Sequence, residues 1–265
     1  MITFDPRLVI GPMQVGALLS AGFYGCFVAQ TFMYFKLFPK DPPTLKIIVT
    51  TVAAFQLGHF LCLIVTLWTM TVTSYTHPSV LNTLPIAADI LILLSSFTCS
   101  TVQLFYSHRL WKLSGFPILF IISGTLCVVA QTVAFILVIH AFLMSSLEAF
   151  QNQQHVIILL ASTSRAAADI FTTLGIAGTL KKRSSGTVSM ATIADRLIAW
   201  VLETCLVASL ATFSIAILLL TLQNSVWFGL YIINANLIAN SLLAWFNRRY
   251  SPVRDEVVSS IQFAE

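Results

Sequence analysis

Charged residues are scarce in this chain. Asp, Glu, Lys and Arg make up 9% of the 265 residues, whereas hydrophobic residues make up 57%. An average soluble domain carries about 25% charged residues, so this composition cannot supply the usual water-exposed surface. The scarcity excludes an ordinary soluble globular domain and predicts long apolar segments surrounded by lipid.

Long hydrophobic runs are the main feature of the sequence. A helix needs about 20 apolar residues to cross a hydrocarbon layer of about 30 Å. The runs predict an all-α polytopic membrane protein, with a bundle of seven transmembrane helices in one domain over residues 1–250 and a short cytosolic tail at 251–265. The predicted spans are about 12–36, 46–72, 83–106, 117–142, 155–180, 193–221 and 226–247.

Lys and Arg are absent from every second connector between these runs. The basic residues of the other connectors and of the C-terminal end are Lys36, Lys40, Lys46, Arg109, Lys112, Lys181, Lys182, Arg183, Arg196, Arg248, Arg249 and Arg254. Cytosolic loops carry the excess of basic residues in membrane proteins. The pattern therefore predicts that the N-terminus is outside and the C-terminus is cytosolic. It also predicts contacts between the basic connectors and anionic lipids, and it indicates no nucleic-acid partner.

Cysteines are few, and their positions exclude a disulfide between loops. Each lies in a different predicted span: Cys26, Cys62, Cys99, Cys127 and Cys205. A free cysteine in such a place behaves as a small hydrophobic residue, so we expect buried thiols.

Small residues predict where helices approach closely. Ala17, Ala21 and Gly25 form a line with a spacing of four on the first span. The fifth span is rich in Ala, Ser and Gly, and we expect it to lie in the middle of the bundle.

Four charged residues fall well inside the predicted spans, away from their ends: Asp89, Arg165, Asp169 and Glu203. A charge at the bilayer centre costs at least about 2.5–3.5 kcal/mol, so it should face the bundle interior and have a partner. Arg165 and Asp169 lie one helical turn apart, and Glu203 is predicted at a similar depth. We expect Arg165 to bridge Asp169 and Glu203. The four residues are either a polar ligand site or proton relay, or a structural ion-pair network.

The chain lacks the motifs of the common intramembrane and hydrolytic enzymes. It contains no Gly-x-Ser-x-Gly, no His-Glu-x-x-His and no Gly-rich phosphate loop, each of which would indicate a particular chemistry. The histidines are scattered along the chain, with no group of three that suggests a metal site. We therefore expect no enzyme activity, no metal and no cofactor.

Several short segments together are similar to a known family. They are Phe38-Pro39-Lys40-Asp41, Val102 to Tyr106 continuing through Arg109, Leu110 and Leu113 to Gly115, Thr163 to Asp169, Asp195 to Ile198 with Leu202 to Thr204, and Asn240 to Ala244 with Asn247 and Arg248. The set resembles the seven-span membrane proteins, abundant in basidiomycete fungi, that are defined as domain of unknown function 6534. The resemblance implies seven spans and a fungal source, and it carries no activity or functional residues.

The molecular function is unknown from the sequence; a receptor-like or sensory role is the first hypothesis, and a transporter and a structural membrane protein are the alternatives. A receptor-like or sensory protein would have a ligand cavity open to the outside and cytosolic partners at the basic connectors. A small-solute or proton-coupled transporter would have a continuous polar path through the buried charges. A structural membrane protein would have neither. The sequence indicates an integral membrane location without distinguishing the plasma membrane from an internal membrane.

Overall fold

A computed structural model describes residues 6–82, 85–143, 147–184, 209–218, 221 and 226–248. Its regular elements in these ranges are helices, with no strand among the described residues. The helices are α1 (Pro6–Leu37), α2 (Pro43–Thr76), α3 (Ile86–Ser114), α4 (Pro117–Leu143), α5 (Leu147–Ser184), α6 (Ser209–Leu218) and α7 (Val226–Asn247). All but α6 are long and apolar enough to cross a membrane, which gives six candidate spans within the described residues.

The described part confirms long helices at six of the predicted spans. The predicted sixth span, 193–221, lies mostly outside the described residues, and its described portion is the apolar helix α6. The predicted tail at 251–265 also lies outside them.

Proline and glycine define the helix boundaries. Pro43 and Pro117 begin α2 and α4, where a missing N–H costs nothing because the first turn has no partner for it. The predicted third span stops at Tyr106, whereas α3 continues to Ser114. Charged residues end the apolar run there, but the helix itself ends only at Gly115, which adopts a left-handed conformation with φ +77° and donates its N–H to Trp111. Such a residue is a common helix stop.

The helices α3 and α7 form the centre of the bundle. Their most apolar windows are 56% and 61% buried, whereas the corresponding window of α5 is only 28% buried. The prediction of a central α5 is therefore wrong. Its small residues are spread around the helix, so that Gly175 meets Leu110 of α3 whereas Gly178 has open space around it. In addition to α5, α3 packs against α2, α4 and α7, and α7 packs most extensively against α1.

Two hydrophobic clusters occupy opposite ends of the bundle. One contains Met13 of α1, Met70 of α2 and Trp227 of α7, and the other contains Tyr34 of α1 and Phe246 of α7. Neighbouring helices along the chain therefore run antiparallel. The second cluster lies at the end where the described basic connectors lie, and there the Arg109 guanidinium stacks 3.7 Å from the ring centroid of Trp245.

Large apolar side chains cover the outside of the bundle. Leu18 is 74% exposed, Phe32 69% and Trp68 62%. Soluble proteins rarely expose this much apolar surface, and where they do it marks a membrane or protein interaction site. Here the apolar surface surrounds helices that are long enough to span a membrane. The molecule is a multi-pass integral membrane protein with lipid as its surroundings.

The contact between α1 and α7 combines glycines with polar side chains. Gly16 and Gly229 allow the backbones to touch. Asn236 donates to the Ser20 hydroxyl at 2.7 Å, and Asn240 donates to the Phe23 carbonyl at 3.0 Å. The predicted line of Ala17, Ala21 and Gly25 is not this contact surface, because Ala21 and Gly25 are exposed. A neighbouring stripe of α1 faces α7 instead.

Candidate functional site

The structure describes three of the four predicted intramembrane site residues. Arg165 and Asp169 lie on α5, and Asp89 lies in the first turn of α3, where it is 2% exposed. Glu203 lies outside the described residues. Asp89 does not line either of the two cavities described below. Asp89, Arg165 and Asp169 therefore do not share one polar site.

The Arg165 guanidinium points from α5 toward α3. Its Nη2 donates to the Ser100 hydroxyl at 3.2 Å. Its Nη1 is buried and has no hydrogen-bond partner among the described residues. The predicted bridge to Asp169 is not among the hydrogen bonds of the described residues, and the two side chains line different cavities. A spacing of four residues places two side chains on one helix face, but here the hydroxyl of a neighbouring helix provides the closer partner.

A chain of neutral polar groups supports the guanidinium. Ser100 donates to Gln131 Oε1 at 2.6 Å, and Gln131 Nε2 donates to the Ser96 hydroxyl at 3.1 Å. These bonds join α3 to α4 beside Arg165. These hydrogen bonds position the guanidinium without neutralising its charge, since Ser96, Ser100 and Gln131 are all neutral.

A cavity of about 110 Å³ lies beside Arg165, between α3, α4, α5, α6 and α7. Most of its wall is apolar, and α4 and α5 contribute Ala130, Ala134, Leu137 and Ile158 to it. On size alone, it is comparable to the engineered cavity of about 150 Å³ that binds benzene in another protein. The volume suits one compact molecule.

Three buried polar atoms on this wall lack hydrogen-bond partners among the described residues. They are Arg165 Nη1, Trp227 Nε1 and Asn234 Oδ1. The opposite end of the Asn234 amide is satisfied, since its Nδ2 donates to Thr212 at 3.1 Å. The Tyr231 hydroxyl also borders the cavity but donates to the Ile92 carbonyl at 3.2 Å. The residues that line the cavity therefore include two buried donors and one buried acceptor without partners among the described residues.

A second cavity, of about 20 Å³, lies on the other side of Cys99. Asp169 lines it, and the carboxylate Oδ2 has no hydrogen-bond partner in the described part of the chain. One water molecule requires about 10–15 Å³, which is close to this volume. This cavity suits a single water rather than an organic ligand.

A fully bonded polar junction lies next to the smaller cavity. Gln103 of α3 donates to the Thr172 hydroxyl at 2.8 Å and to the Ala168 carbonyl at 2.9 Å. Ser123 of α4 joins them, with its hydroxyl 2.7 Å from that of Thr172. All these side chains are buried. The junction holds α3, α4 and α5 together beside the site.

Sequence reasoning predicted Arg165 but missed most of the cavity. Trp227, Gln131 and Asn234 carry no spacing signal in the sequence that connects them with Arg165. Asn236, Asn240 and Asn247 form a polar stripe on α7 that bonds to α1 rather than lining the cavity.

Part of this membrane protein matches a known protein family. Residues 165–251 match the model described as "Family of unknown function (DUF6534)". The match confirms the resemblance over this segment, which covers Arg165, Asp169, Trp227 and Asn234. No curated protein and no solved structure matches the chain.

Proposed function

We propose that this protein is a receptor-like membrane protein that binds a small molecule inside its helix bundle. The observation that carries the proposal is the cavity of about 110 Å³, three of whose lining residues hold a buried polar atom without a hydrogen-bond partner among the described residues. A buried polar group without a partner costs about 1–3 kcal/mol. Three such groups around one apolar space are the arrangement that a ligand with an apolar body and a polar end would satisfy.

The position of the cavity supports a ligand that enters from outside. The proposal includes seven spans with the N-terminus outside, in agreement with the alternation of the basic connectors. Ile92, Trp227 and Tyr231 of the cavity wall lie in the first halves of α3 and α7. In the proposed orientation both helices begin outside, so these residues belong to the outer half of the bundle. The basic connectors would then face the cytosol, where anionic lipids and a signalling partner would contact them.

The structural arrangement favours binding over transport. A transporter would need a continuous polar path, but Arg165 and Asp169 line separate cavities and Asp89 lines neither of the two. We likewise propose a binding protein rather than an enzyme, since the cavity wall combines one guanidinium with neutral groups. No nucleophile paired with a base is placed on it among the described residues.

The proposal is tested by filling the cavity. Ala130 is 2% exposed and borders the cavity, whereas Val128 on the same helix is 62% exposed. We expect purified wild-type protein to show a thermal shift with at least one of benzoate, benzamide and benzyl alcohol. Ala130→Leu should abolish the shift, and the control Val128→Leu should keep it. An equal shift in both variants, or none in the wild type, would contradict cavity binding.

A further inference from the structure

We infer that the ligand of the large cavity is a compact carboxylic acid, bound as its anion with the carboxylate at Arg165. The inference rests on the proposed binding function and names the ligand class. The cavity wall carries a positive charge without a negative one among the described residues. Among the described residues, the only formally charged side chain on the wall of the large cavity is the Arg165 guanidinium. Its one hydrogen bond in that part of the chain is to a neutral hydroxyl.

Arg165 has no hydrogen-bonded carboxylate among the described residues, and this is the first reason to expect an anion. Taking a cation out of water is expensive, and buried charges are therefore paired in nearly all proteins. Asp169 lies one turn away on α5, but no hydrogen bond joins it to Arg165 among the described residues, and Asp169 lines the smaller cavity. An anion inside the large cavity would supply the contact that Asp169 does not make.

The hydrogen-bonding groups narrow the choice of anion. Arg165 Nη1 and Trp227 Nε1 are both donors without partners among the described residues. An ionised carboxylate has two oxygens that only accept hydrogen bonds, so it matches a pair of donors. The remaining unpartnered atom, Asn234 Oδ1, is an acceptor. It would take a hydroxyl or N–H carried by the ligand, or a water bound beside it.

The size and polarity of the cavity select a small apolar body. About 110 Å³ admits a molecule on the scale of a benzene ring, and the wall of the cavity also includes the apolar residues Ala130, Ala134 and Leu137. A sulfate or phosphate ion would leave this apolar wall without contacts, and a single guanidinium would face a dianion. A monocarboxylate with an aromatic or branched aliphatic body satisfies both sides of the cavity.

Matched probes test the assignment on the full chain in detergent. Benzoate, benzamide and benzyl alcohol share a ring and differ in charge. We expect the Kd for benzoate to be at least about tenfold lower than for either neutral probe, which corresponds to about 1.4 kcal/mol. Arg165→Gln should remove this preference while the neutral probes still bind. Arg165→Lys should keep part of it, because the charge remains but the planar donor geometry is lost.

The outcomes separate the ligand class from the binding function. Equal binding of the three probes, unchanged in Arg165→Gln, would overturn the carboxylate assignment and leave the cavity function intact. Failure of every probe to bind the wild type would overturn the binding function itself. Benzoate binding that survives Ala130→Leu would place the anion outside the cavity and overturn the inference. If Arg165→Gln does not fold, the comparison of Arg165→Lys with wild type still decides the preference.

Discussion

Gly16 of α1 and Gly229 of α7 bring two helix backbones into direct contact. A Cβ atom added at Gly16 would lie 2.6 Å from the carbonyl oxygen of Gly229, and one added at Gly229 would lie 2.5 Å from the carbonyl oxygen of Pro12. Both neighbours are backbone atoms that cannot rotate away. Close packing of small residues is a main source of helix association in membranes, where lipid removes the hydrophobic driving force.

The first prediction concerns this contact. Gly16→Ala and Gly229→Ala should each lower the melting temperature of the detergent-solubilised protein, because the added methyl group must push α1 away from α7. Overpacking of this kind costs about 1–3 kcal/mol. Gly22→Ala is the matched control on α1, since a Cβ atom added there would have nothing within 4 Å. The contact is unimportant for stability if Gly16→Ala and Gly22→Ala melt at the same temperature.

The second prediction concerns the polar junction between α3, α4 and α5. Thr172→Val keeps the side-chain shape but removes the hydroxyl that contacts Gln103 and Ser123. Interhelical hydrogen bonds in membrane proteins average about 0.6 kcal/mol each, so the loss of two should destabilise the fold by about 1 kcal/mol.

The control for this prediction lies on the same helix. Thr163 is exposed and bonds back to Leu159 of its own helix, just as Thr172 bonds back to Ala168. Thr163→Val therefore removes the local bond alone. Chemical or thermal unfolding of both variants measures the difference. Equal stability of the two would show that the junction contributes nothing beyond the local bond.

The spans were predictable because they depend on composition along the chain. Apolar length fixes where a helix can cross lipid, and proline marks the starts of α2 and α4. The side of a helix that faces its neighbour depends on the neighbour as well. Ala21 and Gly25 satisfy the same small-residue pattern as Gly16, but α7 lies against Gly16. Sequence periodicity on α1 alone could not distinguish these stripes.

The candidate site was predictable only in part, for the same reason. A buried arginine is visible in the sequence because it interrupts an apolar run. The other residues of the site come from other helices. Ser100, which accepts the hydrogen bond of Arg165, is on α3, and Trp227 and Asn234, which line the same cavity, are on α7. Their distance in sequence from Arg165 removes any spacing signal. The cavity exists only once five helices have been placed together.

The third prediction concerns topology. His77 lies between α2 and α3, and Phe116 lies between α3 and α4, and both are exposed. With the five native cysteines replaced, a membrane-impermeant maleimide should label His77→Cys in intact cells that display the protein at their surface. Phe116→Cys should react only after permeabilisation. The reverse labelling pattern would invert the proposed orientation and place the cavity in the cytosolic half.

The last prediction concerns the stability effect of the buried charges. If Arg165 is retained for a ligand, it lowers stability in the ligand-free protein, because its Nη1 is buried without a partner among the described residues. Arg165→Gln should then raise the melting temperature. Asp89→Asn should raise it as well, since the Asp89 carboxyl oxygen Oδ1 is also buried without such a partner. Lys36→Gln, at an exposed position, removes one positive charge as a control and should leave the melting temperature unchanged.

The sign of the Arg165 effect distinguishes the two interpretations of the buried charges. A structural ion-pair network predicts a large loss of stability in Arg165→Gln, because removal of one partner from a buried pair typically costs about 3–5 kcal/mol. A ligand site predicts a gain in the ligand-free protein, and benzoate should then stabilise the wild type more than the variant. The structure favours the second outcome, because the only hydrogen bond of Arg165 within the described residues is to the neutral hydroxyl of Ser100. The melting temperature of Glu203→Gln, measured together with that of Arg165→Gln, determines whether the Glu203 carboxylate also affects stability.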